Sequence, residues 1–566
     1  MKVSYRVEIS HPEHHIVSVF LHITELNQDK CEIFLPSWSP GSYLMREYSR
    51  HLRMIKVTNP QGVRLSITQE KKGQWSIQSK NESRLEIEYE MYLHELTVRT
   101  SHIDLSHAYL HGPSYLIGVK GSESLSLPIE FRFPPSWSKI STSLKSLGAN
   151  RESFLYISEN YDELLDCPVE IGCHETDGFI VNGKEHFLAF YGETYPHKQD
   201  LKNDFKKIVE AVSKEMKSMP YDHYLFITHF APGIYGGLEH LNSTTLQFDA
   251  KKLNVRKDYL QFLCLICHEY FHLWNVKRIR PIELGPFDYQ NENYTTMLWL
   301  AEGLTSFVDE WFIYRAGLCT LEEYLEMQKS NFENYLNTPG RKFHSLEESS
   351  FNAWIKLYRP DENSRNSSIS YYLKGGLVFF ILHIYFSEKQ LSLMSFIEAL
   401  WERFKSDPTK GLIKNEIYDI VEKMAGPEVA EDFSWMVEST RDIPFEKACE
   451  KMGLELKWQE ASTLWHGINA ENENGRLMVK SIVLDSPSYK AGVNAGDELI
   501  FLNQLRVSKE DVDQWPVRLL ENESYQLIVA RLGAKVELNL RLEKAPKILK
   551  ELSIKNREKI EQVLKM

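Results

Sequence analysis

The sequence predicts a multidomain protein: an all-β region over residues 1–175, an α+β region over 176–455, a small β-containing domain over 456–545 and a helical tail over 546–566. Three observations predict it. A chain of 566 residues exceeds what one hydrophobic core accommodates. Its first third consists of short alternating runs with no helical period. Its middle passes from strand patterns to long helical ones, and strand patterns return after about residue 455.

Each region rests on particular stretches. "SYRVEIS", "HIVSVFLHI", "CEIFLP", "RLEIEYEMYL" and "IEFRFP" are bounded by Pro, Gly, Asn and Asp, which reads as a β-sandwich or a related all-β domain. "EHFLAFYG" and "HYLFITHF" read as strands on either side of a helical "QDLKNDFKKIVEAVSKEMKSM". "APGIYGGLEHLNSTTLQF" is a glycine-punctuated loop leading into a strand, and residues 259–404 are mostly helical. Beyond 455, "RLMVKSIV", "DELIFLN", "YQLIVAR" and "KVELNLRL" are strands interrupted by a helical "KEDVDQWPVRLL". The terminal "ILKELSIKNREKIEQVLKM" has the charge pattern of an amphipathic helix or frayed tail.

Composition narrows the function classes. A net charge of −13 with no basic stripe argues against a nucleic-acid partner. No apolar run approaches the ~18 residues of a membrane span, so no membrane partner is expected. "MKVSYRVEIS" alternates like a strand rather than showing the apolar run of a signal peptide, so export is not expected. The seven cysteines are odd in number and scattered, as expected for reduced thiols in a cytoplasmic protein.

Chemistry concentrates in "CLICHEYFH" (264–272), which satisfies two patterns. CLICH matches the Cys-x-x-Cys-His of covalent haem attachment. HEYFH matches the His-Glu-x-x-His of zinc peptidase helices. His268 cannot serve both. On a helix His268 and His272 differ in direction by roughly 40°, so both reach one ion. Glu269 projects beside them as a base for a metal-bound water. The apolar residues Leu260, Leu263, Ile266, Cys267 and Phe271 support that helix, and Pro281 fits a stop just beyond "WNVKRIR". A second helical pattern, "LWLAEGLTSFVDE" (298–310), offers Glu302 as a carboxylate that would complete a His-His-Glu set and leave a fourth position for water. Cys264 and Cys267 then read as small apolar core residues, and zinc is the expected cofactor, one ion per chain.

HEYFH followed by "WNVKRIRP" and "LWLAEG" resembles the glycyl-aminopeptidase family of metallopeptidases, which have a thermolysin-like catalytic domain. The resemblance extends to "LPSWSPGSYLMREYSRHL" (35–52), "SSISYYLKGGLVFF" (367–380) and a C-terminal PDZ-like segment, "SPSYKAGVNAGDELIFLN" (486–503). It implies that His268, His272 and Glu302 bind zinc and that Glu269 is the general base. The twenty-nine residues between His272 and Glu302 agree with the long connection of this group. "GGLEH" (236–240) stands where aminopeptidase N relatives carry Gly-x-Met-Glu-Asn. Glu239 would hold the substrate's α-amine, and Gly236 and Gly237 would let a peptide backbone approach. Leu238 and His240 depart from that pattern. In "YYLKGG", Tyr372 is placed as the oxyanion donor, with Tyr371 as the neighbouring alternative. Asp309 would orient a ligand histidine. Only Gly467 and Ile468 resemble a PDZ carboxylate loop, so this domain is expected to be structural or substrate-presenting.

The expected function is therefore a zinc aminopeptidase that releases small N-terminal residues, Gly or Ala, from peptides with a free N-terminus, through a zinc-bound water activated by Glu269. A zinc endopeptidase with a PDZ domain for substrate capture is the first alternative. A PDZ peptide-binding scaffold with a vestigial zinc site is the second. "SWSPGSY" and "HELTVRTSHIDLSHAYLHG" are the stretches expected to close one end of the site.

Overall fold

A computed structural model describes residues 1–149, 153–193 and 198–566. It divides into two compact units, one of residues 1–295, 308–319 and 397–413, the other of 296–307, 320–396 and 414–566.

The first unit begins with a β-domain. Its largest sheet has seven strands, with Lys2–Glu8 between a parallel neighbour, Leu127–Arg132, and an antiparallel one, Ile16–Thr24. Ile16–Thr24 alternates half-buried and buried along its whole length because every second side chain faces the core, where Val17, Val19, Leu21 and Ile23 are inaccessible to solvent. Two four-stranded sheets complete the domain, one ordered Gly118–Val119, Lys30–Phe34, Gln74–Gln78, Ile67–Lys71, the other Lys139–Thr142, Val169–Gly172, His107–Leu110, His102–Ile103.

The same unit holds a five-stranded mixed sheet. Its order is Glu175–Val181, Lys184–Gly192, His223–Phe230, Ser243–Phe248, Tyr235–Glu239, so Tyr235–Glu239 forms one edge. The central strands run parallel, which requires a crossover, and the helix Lys198–Met216 supplies it. The sequence pattern gave a loop at "YGGLE" because two glycines weaken strand propensity; antiparallel pairing of Gly237 with Leu246 and Glu239 with Thr244 makes it a strand.

The second unit is mainly helical and ends in a small β-domain. The apolar helix Tyr371–Glu388 runs through it, buried on nearly every side. Ile468–Glu473, Arg476–Ile482, Glu498–Leu502, Tyr525–Arg531 and Ala534–Leu540 form the C-terminal sheet, with Leu505–Arg506 added to Glu498–Leu502. Asn366 ties this sheet to the helices, donating to Ile482 O at 2.7 Å and accepting from Leu484 N at 2.9 Å.

The tail is not helical throughout, contrary to its charge pattern. Ile548–Ile554 is a strand paired with Leu454–Gln459, and only Arg557–Lys565 is a helix. Leu549 and Leu552 bury against that partner strand, a long-range pairing that overrides local propensity.

Candidate active site

The helix Arg256–Phe271 presents HEYFH at its C-terminal end, with Leu260, Leu263, Ile266, Cys267 and Phe271 on the buried side. Regular α-helix stops at Phe271, with His272 as its cap, rather than near Pro281. Beyond it, turns of mixed length continue to Ile279, including bonds to His272 O from both Val276 N and Lys277 N. The reason is local. His272 Nδ1 bonds Asn275 O at 2.6 Å, and the Arg278 guanidinium donates to the carbonyls of Leu273, Pro220 and Leu241.

Both histidines have their Nδ1 atoms engaged. His268 Nδ1 meets Asp309 Oδ2 at 2.7 Å, and the His272 partner is the carbonyl just named. Donation from Nδ1 leaves the Nε2 lone pairs for a metal, the tautomer a zinc site requires. The rings stand nearly perpendicular, with centroids 4.6 Å apart. This donor set fits zinc. Burial raises the Asp309 pKa, and its hydrogen bond to His268 opposes that shift.

Glu239, at the end of the edge strand, lies close to this pair. One ligand atom from each of Glu239, Glu269 and His272 falls within 4.8 Å of the other two, and all three side chains are buried. Gly237 makes room for Glu269: a Cβ there would overlap the Glu269 carboxylate and come within 2.6 Å of its Cγ. Gly236 faces Val98 and Arg99, and Arg99 Nη2 donates to Gly237 O at 3.4 Å. At the other end Gly41, at φ +82°, brings the loop of "SWSPGSY" onto Glu239, where an added Cβ would stand 2.6 Å from Oε1. Both stretches expected to close the site thus reach this strand.

The departures from the aminopeptidase N pattern have structural roles. Leu238 is a core residue. His240 Nδ1 bonds Asp166 Oδ1 at 3.0 Å, and Asp166 also accepts from Leu241 N at 2.7 Å and Lys277 Nζ at 2.8 Å. Lys277 and His240 together hold the Asp166 carboxyl down to about 2 against its burial. Asp166 and Lys277 fix the turn after Glu239, a pairing across more than a hundred residues that no local sequence signal marks.

Glu302 and Tyr372 belong to the second unit. Glu302 is buried in a π-helical turn, Trp299–Gly303, that leads directly into the helix Leu304–Arg315 carrying Asp309 about two turns on. Gly303 packs against Gly375: a Cβ on Gly303 would lie 2.7 Å from Gly375 Cα and 3.1 Å from Tyr371 O. Tyr372 is half-buried in the first turn of Tyr371–Glu388, whose N-cap Ser370 accepts from its backbone N–H, whereas Tyr371 is fully buried. Of the two tyrosines, Tyr372 is the more exposed.

Cys267 is fully buried and Cys264 partly so, and burial pushes both thiols well above their ordinary pKa. All seven cysteines are free thiols.

The N-terminal domain of the M61 peptidases matches residues 4–173, and the M61 glycyl aminopeptidase profile matches residues 261–378. No curated protein matches the chain. Among solved structures, the chain is similar to an aminopeptidase N family protein from Idiomarina loihiensis, at 26% identity and a TM-score of 0.92, covering 99% of this chain and 100% of that one. An M1 zinc metallopeptidase from Deinococcus radiodurans shares the fold, at 13% identity and a TM-score of 0.51 over 79% of this chain and 95% of that one. The chain belongs to the glycyl aminopeptidase family and is a metallopeptidase.

Proposed function

We propose that this metallopeptidase is a zinc aminopeptidase that removes small N-terminal residues, Gly or Ala, from peptides. The observation that carries the reading is the mutual approach of Glu239, Glu269 and His272 within 4.8 Å. The α-nitrogen and the carbonyl carbon of one residue are two bonds, about 2.5 Å, apart. An amine held by Glu239 therefore brings the first carbonyl, and no later one, to the base. The close packing of Gly41 on the Glu239 carboxylate supports a closed end there, and so the aminopeptidase reading over the endopeptidase alternative.

His268 and His272 would hold zinc, with Glu302 as the third ligand; the Asp309–His268 hydrogen bond supports this, because Glu302 precedes Asp309 on one continuous helix. Bound zinc supplies Lewis acidity to the scissile carbonyl and lowers the pKa of water. Glu239 binds the substrate ammonium by a charge-assisted hydrogen bond, and the edge strand Tyr235–Glu239 offers backbone groups to the peptide. Glu269 takes the proton from the attacking water and delivers it to the leaving amine. The Tyr372 hydroxyl donates to the developing oxyanion. The catalytic region is read as thermolysin-like and the C-terminal sheet as PDZ-like. Gly467 at φ +77°, packed on Ser486, and the Asn366 hydrogen bonds favour a structural role for that domain.

The test compares an alanine or glycine chromogenic substrate bearing a free amine with its acetylated counterpart. Turnover of the free amine alone is expected, with Glu239→Gln lowering kcat/KM about 10- to 100-fold at unchanged zinc content. Equal cleavage of the acetylated substrate would establish an endopeptidase. No cleavage of either by zinc-loaded protein would favour the scaffold.

A further inference from the structure

Outside the active site, the stretch "HIDLSH" (102–107) builds a second donor set. It forms a tight hairpin in which Asp104 N donates to His107 O at 3.0 Å and His107 N to Asp104 Oδ1 at 3.1 Å. His102 opens the short strand His102–Ile103, which pairs with His107–Leu110, and Asp104 follows directly in the turn, bonded through its backbone N–H to His107 O. The three side chains each bring a ligand atom within 4.8 Å of the other two. We propose that His102, Asp104 and His107 bind a divalent transition-metal ion of the zinc type, distinct from the ion at HEYFH.

The surroundings are those of a ligand set. Asp104 Oδ1 is used by the turn, accepting from Ser106 N, Ser106 Oγ and His107 N. Oδ2 remains, 3.0 Å from His102 Nε2, a spacing that an ion between the two would replace. His107 is fully buried, and its Nδ1 is 2.7 Å from Glu170 Oε1, while the other Glu170 oxygen meets His229 Nε2 at 2.9 Å. Donation to that carboxylate leaves His107 Nε2 as a lone-pair nitrogen, and it has no hydrogen-bond partner. A carboxylate behind a histidine is the arrangement that orients metal ligands and raises their basicity. Tyr191 stacks on the His107 ring at 3.4 Å and fixes its plane. Two imidazoles and one carboxylate select zinc-type ions over calcium or magnesium, which prefer oxygen. The Asp104 side chain, a third exposed, opens the site to solvent and to a water as fourth ligand.

The inference is independent of the proposed peptidase mechanism, and its test separates the two sites. Full-length protein carrying His268→Ala and His272→Ala is equilibrated with Zn2+, and bound metal is counted by elemental analysis. One ion per chain is expected, together with a Zn2+-dependent rise in Tm. Co2+ in its place should give visible absorption of a low-symmetry site. Adding His102→Gln and Asp104→Asn should weaken binding at least tenfold and remove the Tm response. These two side chains are the more exposed of the set and leave the Glu170 pairs intact; should the combination fail to fold, His102→Gln alone in the same background gives the reading. Absence of bound ion in the first protein, or unchanged affinity after the hairpin substitutions, would overturn the proposal.

Discussion

Gly237 shows how the site depends on a missing side chain. The strand it occupies sits so close to the helix Arg256–Phe271 that a Cβ would overlap the Glu269 carboxylate. The displaced group is a flexible side chain rather than backbone, so Gly237→Ala should cost little stability. The base would nonetheless move, and a misplacement of about 1 Å costs on the order of 100-fold in rate. The expected outcome is kcat reduced about 100-fold, with Tm and zinc content close to those of the parent. A variant that keeps full turnover would show that Glu269 does not need this clearance, and one that melts early would show that the strand rather than the Glu269 side chain has to yield. The same glycine hid the strand from the sequence reading, because the residue that permits close approach also erases the alternation that marks a strand.

At the scale of elements, what the sequence disclosed depended on whether the signal was local. The helix bearing HEYFH was legible because its apolar side repeats at helical spacing and its two histidines are four apart. The π-helical turn at Trp299–Gly303 was not, since an extra residue in one turn leaves the apolar pattern almost unchanged. The strand Ile548–Ile554 reads as amphipathic helix or frayed tail in the sequence because its partner, Leu454–Gln459, lies far away in the chain. The crossing of Trp299–Gly303 with Tyr371–Glu388 was equally silent, although "AEG" and "KGG" carry it. Gly303 and Gly375 meet backbone to backbone: a Cβ on Gly375 would stand 2.8 Å from Gly303 Cα. Neither backbone can yield without parting the helices, so Gly375→Ala should destabilise the second unit by about 1–3 kcal/mol. Gly376 is the internal control. Its added Cβ finds ordinary contact, 3.5 Å from Ser306 Cβ, and Gly376→Ala should stabilise the helix by about 0.5–1 kcal/mol. Thermal unfolding of the two variants should therefore move in opposite directions, and a common direction would remove the packing argument.

Across the whole molecule, buried and half-buried histidines give folding a defined dependence on pH. His22, His51, His102, His111, His174, His186, His344 and His466 all have pKa values held below the ordinary 6.5, with burial the leading cause in each. His186 in the first unit, and His344 and His466 in the second, fall to about 4. The unfolded chain then binds more protons than the folded one between pH 6.5 and 4. Stability is complete above 6.5 and is lost as pH falls towards 4. For His186, which is fully buried and meets the Tyr221 hydroxyl at 2.8 Å, the loss by pH 5 is about 2 kcal/mol. The carboxyls of Asp166 and Glu170, both held at about 2 by their buried cationic or histidine partners, begin to lose their contribution at lower pH still. Denaturant unfolding of the full chain at pH 7.5, 6 and 5 should accordingly show a steady fall in midpoint. His186→Gln, which keeps a hydrogen-bonding group for Tyr221 but cannot take up a proton in this range, should flatten that fall for the first unit by about one proton's worth. An unchanged slope in that variant would mean that His186 is protonated at the same pH whether the chain is folded or not, and that its burial does not govern the acid sensitivity.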